Sequence, residues 1–107
     1  MPRQISAKDL AKDLANGRPV LLLDVRQPWE NAITSLPDSV LIPLGELPQR
    51  VAELRPPPGT PIVAYCHHGM RSLTAAAILE KHGHTALSLA GGIDAWARDV
   101  DPSTARY

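Results

Sequence analysis

Two short, nearly continuous apolar runs limit the fold of this chain more than any other feature of its sequence. The first is VLLLDV, residues 20–25, and the second is IVAYC, residues 62–66. Each run is preceded by proline and followed by polar residues, which is typical of a parallel strand that is buried on both faces. Helix-forming segments follow both runs. Strands that alternate with helices predict an α/β domain, with a central, mostly parallel sheet and helices on both faces.

The segments around these two strands predict further regular elements. Ser6 followed three residues later by Asp9 resembles a capping box, which predicts a first helix that ends near Asn16. In chain order, the other predicted elements are a short helix after Pro28, an extended piece at residues 39–42, a helical stretch at 44–54, a turn at 55–61, a helix at 71–82, a strand at 85–89 and a helix at 93–99.

Length and composition exclude several classes of protein. A chain of 107 residues predicts a single domain, with a core at about residues 4–99 and a loose C-terminal tail at 100–107. The eleven basic side chains balance the eleven acidic ones, so the charge indicates neither a nucleic-acid partner nor a membrane surface. The first residues lack a signal-like apolar region, and a cytoplasmic location is expected. The single cysteine cannot form an internal disulfide, so any thiol chemistry must end on another molecule.

That cysteine, Cys66, lies where a buried strand ends and a helix begins, which is where parallel sheets bind ligands. Gly69 allows a sharp turn whose N–H groups point inward as an anion-binding nest, and the following helix adds its own free N–H groups. Arg71 would add a positive charge and a planar fork for a sulfonate, sulfate or phosphate. The predicted anion-binding loop consists of His67, His68, Gly69, Met70, Arg71 and Ser72.

Three motifs in this order and spacing resemble the single-domain rhodanese family of sulfurtransferases. They are DVRQPWE at residues 24–30, CHHGMRS at 66–72 and GGIDAW at 91–96. The resemblance spans roughly residues 10–96 and implies a catalytic role for Cys66. It also implies that the residues after Cys66 cradle a persulfide, and that Asp24 and Arg26 support the site.

One segment departs from the family pattern. Many relatives have Gly-His-Ile-Pro-Gly-Ala, whereas this chain has TSLPDS at residues 34–39 and keeps only the proline and an aliphatic residue before it. The family pattern therefore predicts neither the loop geometry of this segment nor its part in the recognition of partners.

The resemblance implies transfer of a sulfane sulfur through a persulfide on Cys66. The expected donor is thiosulfate or a similar small molecule, and the expected acceptor is cyanide, a small thiol or a dithiol protein. Neither an organic cofactor nor a metal is expected, and neither nucleic acid nor membrane is an expected partner. A monomer is expected.

A metal site is a competing hypothesis, because one cysteine and four histidines lie within residues 66–84. Zinc needs ligands that converge tetrahedrally, and adjacent residues in a tight turn seldom aim at one point. A predicted helix of about 15 Å also separates His82 and His84 from the cysteine loop. The pattern therefore disfavours a metal site.

Three further hypotheses change the role of the loop or of its cysteine. A phosphatase or arsenate reductase of related fold also places a cysteine and an arginine around an anion, but its loop is one residue longer than the six residues from Cys66 to Arg71. A non-catalytic sulfur-carrier or binding module is disfavoured because the cysteine is present. Cys66 could also be a buried small hydrophobe. The roles of His67, His68 and Trp29 are open.

Overall fold

The computed structural model describes residues 3–107 and contains a five-stranded sheet. Every strand pairing in this part of the chain is parallel, and the strand order is β1-β5-β4-β2-β3. This confirms the α/β class and puts β4 at the centre of the sheet. The strands are β1 (Arg3–Ile5), β2 (Leu21–Asp24), β3 (Val40–Leu41), β4 (Ile62–Tyr65) and β5 (Ala86–Leu89).

Four α-helices connect the strands and a fifth follows the last strand, close to the positions that the sequence predicts. The Ser6 hydroxyl accepts a hydrogen bond from the backbone N–H of Asp9 at 3.1 Å, so the predicted cap begins the first helix. None of the helices over residues 3–107 has the length and apolar character that a membrane span needs. The helices are α1 (Ala7–Ala15), α2 (Pro28–Ile33), α3 (Leu47–Arg50), α4 (Met70–Lys81) and α5 (Gly92–Asp99).

Two details differ from the sequence prediction. The helical stretch predicted at residues 44–54 is broken, because α3 is only one turn long and is flanked by 3-10 turns at Leu44–Glu46 and Val51–Glu53. Pro48, near the start of α3, lacks the N–H that a continuous helix needs. The sequence does not predict strand β1, since its three residues are mostly exposed and carry no apolar pattern.

The two faces of the sheet bury separate apolar clusters. Neighbouring residues of a strand point to opposite faces, so Val63 and Tyr65 pack with α1 and α5, whereas Ala64 and Cys66 pack with α3 and α4. Small residues of α4, Ala75 and Ala76, are fully buried and let that helix approach the sheet closely. The side chain of Cys66 therefore faces the helix that begins just after it.

Candidate active site

Cys66 directly follows the central strand β4, and only 1% of its surface is exposed. Its Sγ accepts hydrogen bonds from the backbone N–H groups of Gly69, at 3.1 Å, and Ser72, at 3.4 Å. Both donors belong to the start of α4, where the first N–H groups have no acceptor within the helix. The loop therefore directs donors at the sulfur, as the sequence predicts for Gly69 and Ser72.

A pair of buried serines lies beside the sulfur. The hydroxyl oxygen of Ser72 is 3.5 Å from Sγ of Cys66 and 2.7 Å from the hydroxyl oxygen of Ser88 in β5. Neither serine is exposed to solvent. The Ser72 hydroxyl can accept from a thiol and donate to a sulfur anion. Ser88 lies outside the three sequence motifs, so these motifs do not identify it. The signal that could have found it is a polar residue within the apolar run ALSL.

The N-terminus of α5 determines which way the cysteine loop faces. The carbonyl oxygens of Cys66 and His67 accept hydrogen bonds from the backbone N–H groups of Ile93, at 2.9 Å, and Asp94, at 3.1 Å. These two bonds fasten the first residues of the cysteine loop to the start of α5. Gly92 makes this approach possible, because a Cβ there would collide with both carbonyl groups.

We expect Gly92→Ala to lower the free energy of unfolding by about 3 kcal/mol, because the added methyl overpacks the backbone of the loop and alanine disfavours the φ of +62°. Gly83→Ala is the matched control, since Gly83 has a φ of +88° but nothing within 4 Å of an added Cβ. The control should lose only about 1 kcal/mol. Urea unfolding measures both changes, and equal losses in the two variants would contradict the proposed collision.

Arg71 pairs with Glu30 of α2, which the sequence does not identify as a residue of the site. The Arg71 guanidinium donates to both carboxylate oxygens, at 2.7 and 2.9 Å, and only 4% of the Glu30 side chain is exposed. The planar fork predicted to bind an anion therefore holds a carboxylate of the protein. The spacing of Gln27 and Glu30 is that of a capping box, and Oε1 of Glu30 accepts from the backbone N–H of Gln27 at 3.0 Å. That pattern predicts a helix start but not the distant partner.

The Glu30 carboxylate titrates far below its usual range. The hydrogen bonds from Arg71 lower the pKa of Glu30 from 4.5 to about 2, although burial opposes this shift. An acid with a lowered folded-state pKa stabilises the fold above its unfolded pKa, and this stability is lost as the pH falls toward the folded value. The contribution of Glu30 is therefore complete above about pH 4.5 and disappears toward about pH 2.

Glu30→Gln cannot titrate, so we expect it to remove this pH dependence and to lower the free energy of unfolding at pH 7 by about 3 kcal/mol. Urea unfolding of both proteins at a series of pH values measures the effect. Glu46→Gln is the matched control, because Glu46 forms an exposed pair with Arg50 and should contribute less than about 1 kcal/mol. Parallel stability curves for the wild type and Glu30→Gln would rule out the titration of Glu30.

Asp24 and Arg26 lie at the carboxyl end of β2, beside the end of β4. Asp24 is in register with Tyr65, the residue before Cys66. The guanidinium of Arg26 donates to both Asp24 oxygens, at 2.9 and 2.8 Å, and both side chains are completely buried. The pair therefore fastens the strand end next to the cysteine rather than lining an open site.

Residues 34–39, which depart from the family pattern, are attached to the same strand ends. The carbonyl of Thr34 accepts a hydrogen bond from Arg26 at 2.6 Å. The Tyr65 hydroxyl accepts from the backbone N–H of Leu36 at 3.1 Å and lies 2.8 Å from the Ser39 hydroxyl oxygen. Residues 34–39 are thus held by the buried side chains of Arg26 and Tyr65.

The two histidines of the loop stack on each other with ring centroids 3.9 Å apart. Tyr107 stacks on the other side of His67, also at 3.9 Å, and burial together with the neighbouring His68 lowers the pKa of His67. Met70 is 75% exposed. Within residues 3–107, no three side chains of the metal-binding types come together. The loop thus brings Gly69 and Ser72 to the sulfur, while Met70 lies on the surface.

Comparisons with known proteins agree with this geometry. A family model described as "Rhodanese-like domain" matches residues 6–99. A sulfurtransferase from Allochromatium vinosum is 39% identical over 98% of this chain and 97% of that protein. The adenylyltransferase and sulfurtransferase MOCS3 of Oryza sativa subsp. japonica is 34% identical over 97% of this chain. A crystal structure of a rhodanese-related protein from Thermoplasma volcanium has a TM-score of 0.82 and 31% identity, and the match covers 92% of this chain and 93% of that one.

These matches confirm the resemblance that the three motifs indicate, and the names of the relatives support sulfur transfer in general. The extent of the matches differs between relatives. This chain spans nearly all of the Allochromatium protein but only 26% of the Oryza protein, whose name joins two activities.

Proposed function

Since this chain belongs to the rhodanese-like domain family, we propose that it is a sulfurtransferase that carries sulfur as a persulfide on Cys66. One observation carries this proposal: backbone N–H groups of Gly69 and Ser72 point at the sulfur from the start of α4. Hydrogen-bond donors and the positive end of a helix stabilise a sulfur anion, which is the nucleophilic form of cysteine.

We propose thiosulfate as the donor. The Cys66 thiolate attacks the outer sulfur of thiosulfate, the new S–S bond forms, and the bond between the two thiosulfate sulfurs breaks. Sulfite leaves with that electron pair, and the negative charge on the protein moves to the outer sulfur of the persulfide. The N–H groups of Met70 and Arg71 also belong to the first turn of α4, where they lack acceptors within the helix and are suited to this outer sulfur.

The acceptor completes the cycle by attacking the outer sulfur, and the Cys66 thiolate is released. Cyanide would leave as thiocyanate, and a thiol would leave as a new persulfide. The attacking group is an anion in both steps, the Cys66 thiolate in the first and cyanide or the acceptor's thiolate in the second, so neither loop histidine has to transfer a proton. We propose a small thiol or a dithiol protein as the acceptor in a reducing compartment such as the cytoplasm, because the chain has one cysteine and no resolving thiol. We also propose that the chain works as a monomer.

We assign binding of the donor's charge mainly to the loop N–H groups, because the Arg71 guanidinium is engaged by both oxygens of Glu30. In this proposal Arg71 is a positioning residue. Its pair with Glu30 fixes the first turn of α4, which supplies the Ser72 N–H to the sulfur.

A steady-state assay with thiosulfate and cyanide tests the proposal against the phosphatase hypothesis. We expect thiocyanate formation with the parallel double-reciprocal lines of a ping-pong reaction, and negligible hydrolysis of an aryl phosphate. The six residues from Cys66 to Arg71 are too few to encircle a phosphate readily. Phosphate hydrolysis that is faster than thiocyanate formation would overturn the assignment.

A further inference from the structure

The segment after α5, residues 101–107, contains no helix or strand, yet specific contacts hold its last two residues. The Tyr107 hydroxyl donates to Oε2 of Glu30 at 2.8 Å and accepts from Arg26 at 2.9 Å. Its ring stacks on His67 with an interplanar angle of 10°. Arg106 donates to the Asp94 carboxylate at 3.0 Å.

These contacts reach both sides of the cysteine loop. His67 follows Cys66, and Arg71 precedes Ser72, the second backbone donor to the sulfur. Tyr107 touches His67 directly and reaches Arg71 through the carboxylate of Glu30. Asp94, which binds Arg106 through its carboxylate, also donates a hydrogen bond from its backbone N–H to the carbonyl of His67. The last two residues of the segment therefore contact the loop at His67 and are linked to its other end at Arg71 through Glu30.

The surroundings of this segment suit a protein partner. Cys66 is 1% exposed, so any reactant reaches the sulfur only after a local movement, and a large reactant needs a larger movement than a small anion. Trp29, which packs edge-on against Tyr107 with ring centroids 6.1 Å apart, is 62% exposed. Met70, the first residue of α4, is 75% exposed. Tryptophan, tyrosine and methionine are enriched at protein–protein interfaces.

We propose that residues 101–107 form a strap across the cysteine loop, and that Tyr107 determines the size of the molecules that reach Cys66. Small anions react while the strap is docked, whereas a dithiol-protein acceptor requires its release. The contacts suit reversible release, because they are a few hydrogen bonds, one exposed ion pair and two aromatic contacts. The acceptor part of this inference rests on the proposed sulfur transfer, but the control of access to Cys66 does not.

Alkylation of Cys66 tests the strap without any sulfur chemistry, because the chain has no other cysteine. The ratio of two rates is measured, one with a maleimide on a long polyethylene glycol chain and one with N-ethylmaleimide. Both reagents react through the same group, so the ratio reports access rather than thiol reactivity. We expect Tyr107→Ala to raise this ratio about tenfold, which corresponds to about 1.4 kcal/mol.

Two milder variants keep the test decisive if Tyr107→Ala fails to fold. Tyr107→Phe keeps the ring but loses both hydroxyl hydrogen bonds, and Arg106→Ala loses only the pair with Asp94. Each should raise the ratio about threefold. Arg98→Ala is the matched control, since Arg98 forms an exposed pair with Asp99, and its ratio should equal that of the wild type. Wild-type ratios in Tyr107→Phe and Arg106→Ala would overturn the proposal, and so would an equal rise in Arg98→Ala.

A second measurement tests the acceptor. Persulfide prepared with thiosulfate is discharged either by reduced thioredoxin, as the probe dithiol protein, or by cyanide. Tyr107→Phe should raise the ratio of the thioredoxin rate to the cyanide rate. An unchanged ratio would show that the strap does not affect which acceptor discharges the persulfide. If no persulfide forms, the proposed function fails, while the maleimide ratios still decide whether the strap controls access.

Discussion

Replacement of Cys66 by serine should lower the rate of thiocyanate formation from thiosulfate and cyanide by about a thousandfold or more, which corresponds to about 4 kcal/mol in the barrier. A serine hydroxyl is not ionised at neutral pH and cannot store sulfur as a persulfide. The loop N–H groups would remain but would have no sulfur anion to stabilise. The assay compares the initial rates of the two proteins at saturating thiosulfate.

Cys66→Ser should keep the fold, because the new hydroxyl lies beside the Ser72 hydroxyl and can form a hydrogen bond with it. Urea unfolding of the variant provides the control. A folded Cys66→Ser protein that makes thiocyanate at the wild-type rate would show that Cys66 is not the nucleophile.

Asp24→Asn should lower the free energy of unfolding by about 3–5 kcal/mol, because it leaves the buried guanidinium of Arg26 without its counter-charge. This loss is a large fraction of the stability of a small domain. Asp13→Asn is the matched control, since Asp13 pairs with Arg18 at the surface and should contribute less than about 1 kcal/mol. Urea unfolding measures both variants. A loss below about 1 kcal/mol for Asp24→Asn would show that the buried pair does not fasten the end of β2.

The sequence predicts the central strands and α4 closely because each carries a strong local signal. The runs at β2 and β4 are apolar and short, and Gly83 directly follows the end of the helical segment. Strand β1 carries no such signal, because it is an edge strand of three mostly exposed residues. Its place depends on pairing with β5, which lies more than 80 residues away.

The same distinction applies to the site. The strand, the cysteine, the glycine turn and the helix start are neighbours along the chain, so residue types alone predict donors at the sulfur of Cys66. The partner of Arg71 depends on where the fold places α2 relative to α4, and Glu30 is 41 residues away. Tyr107 lies 77 residues from Glu30, so its docking on the loop also depends on tertiary structure.

The intact mass of the wild-type protein after incubation with thiosulfate is the most direct test of sulfur carriage by Cys66. We expect a gain of the mass of one sulfur atom per chain, and we expect that gain to disappear after addition of cyanide. The same treatment of Cys66→Ser should leave its mass unchanged. A wild-type protein that gains no sulfur while its cysteine is free and reduced would contradict the persulfide mechanism.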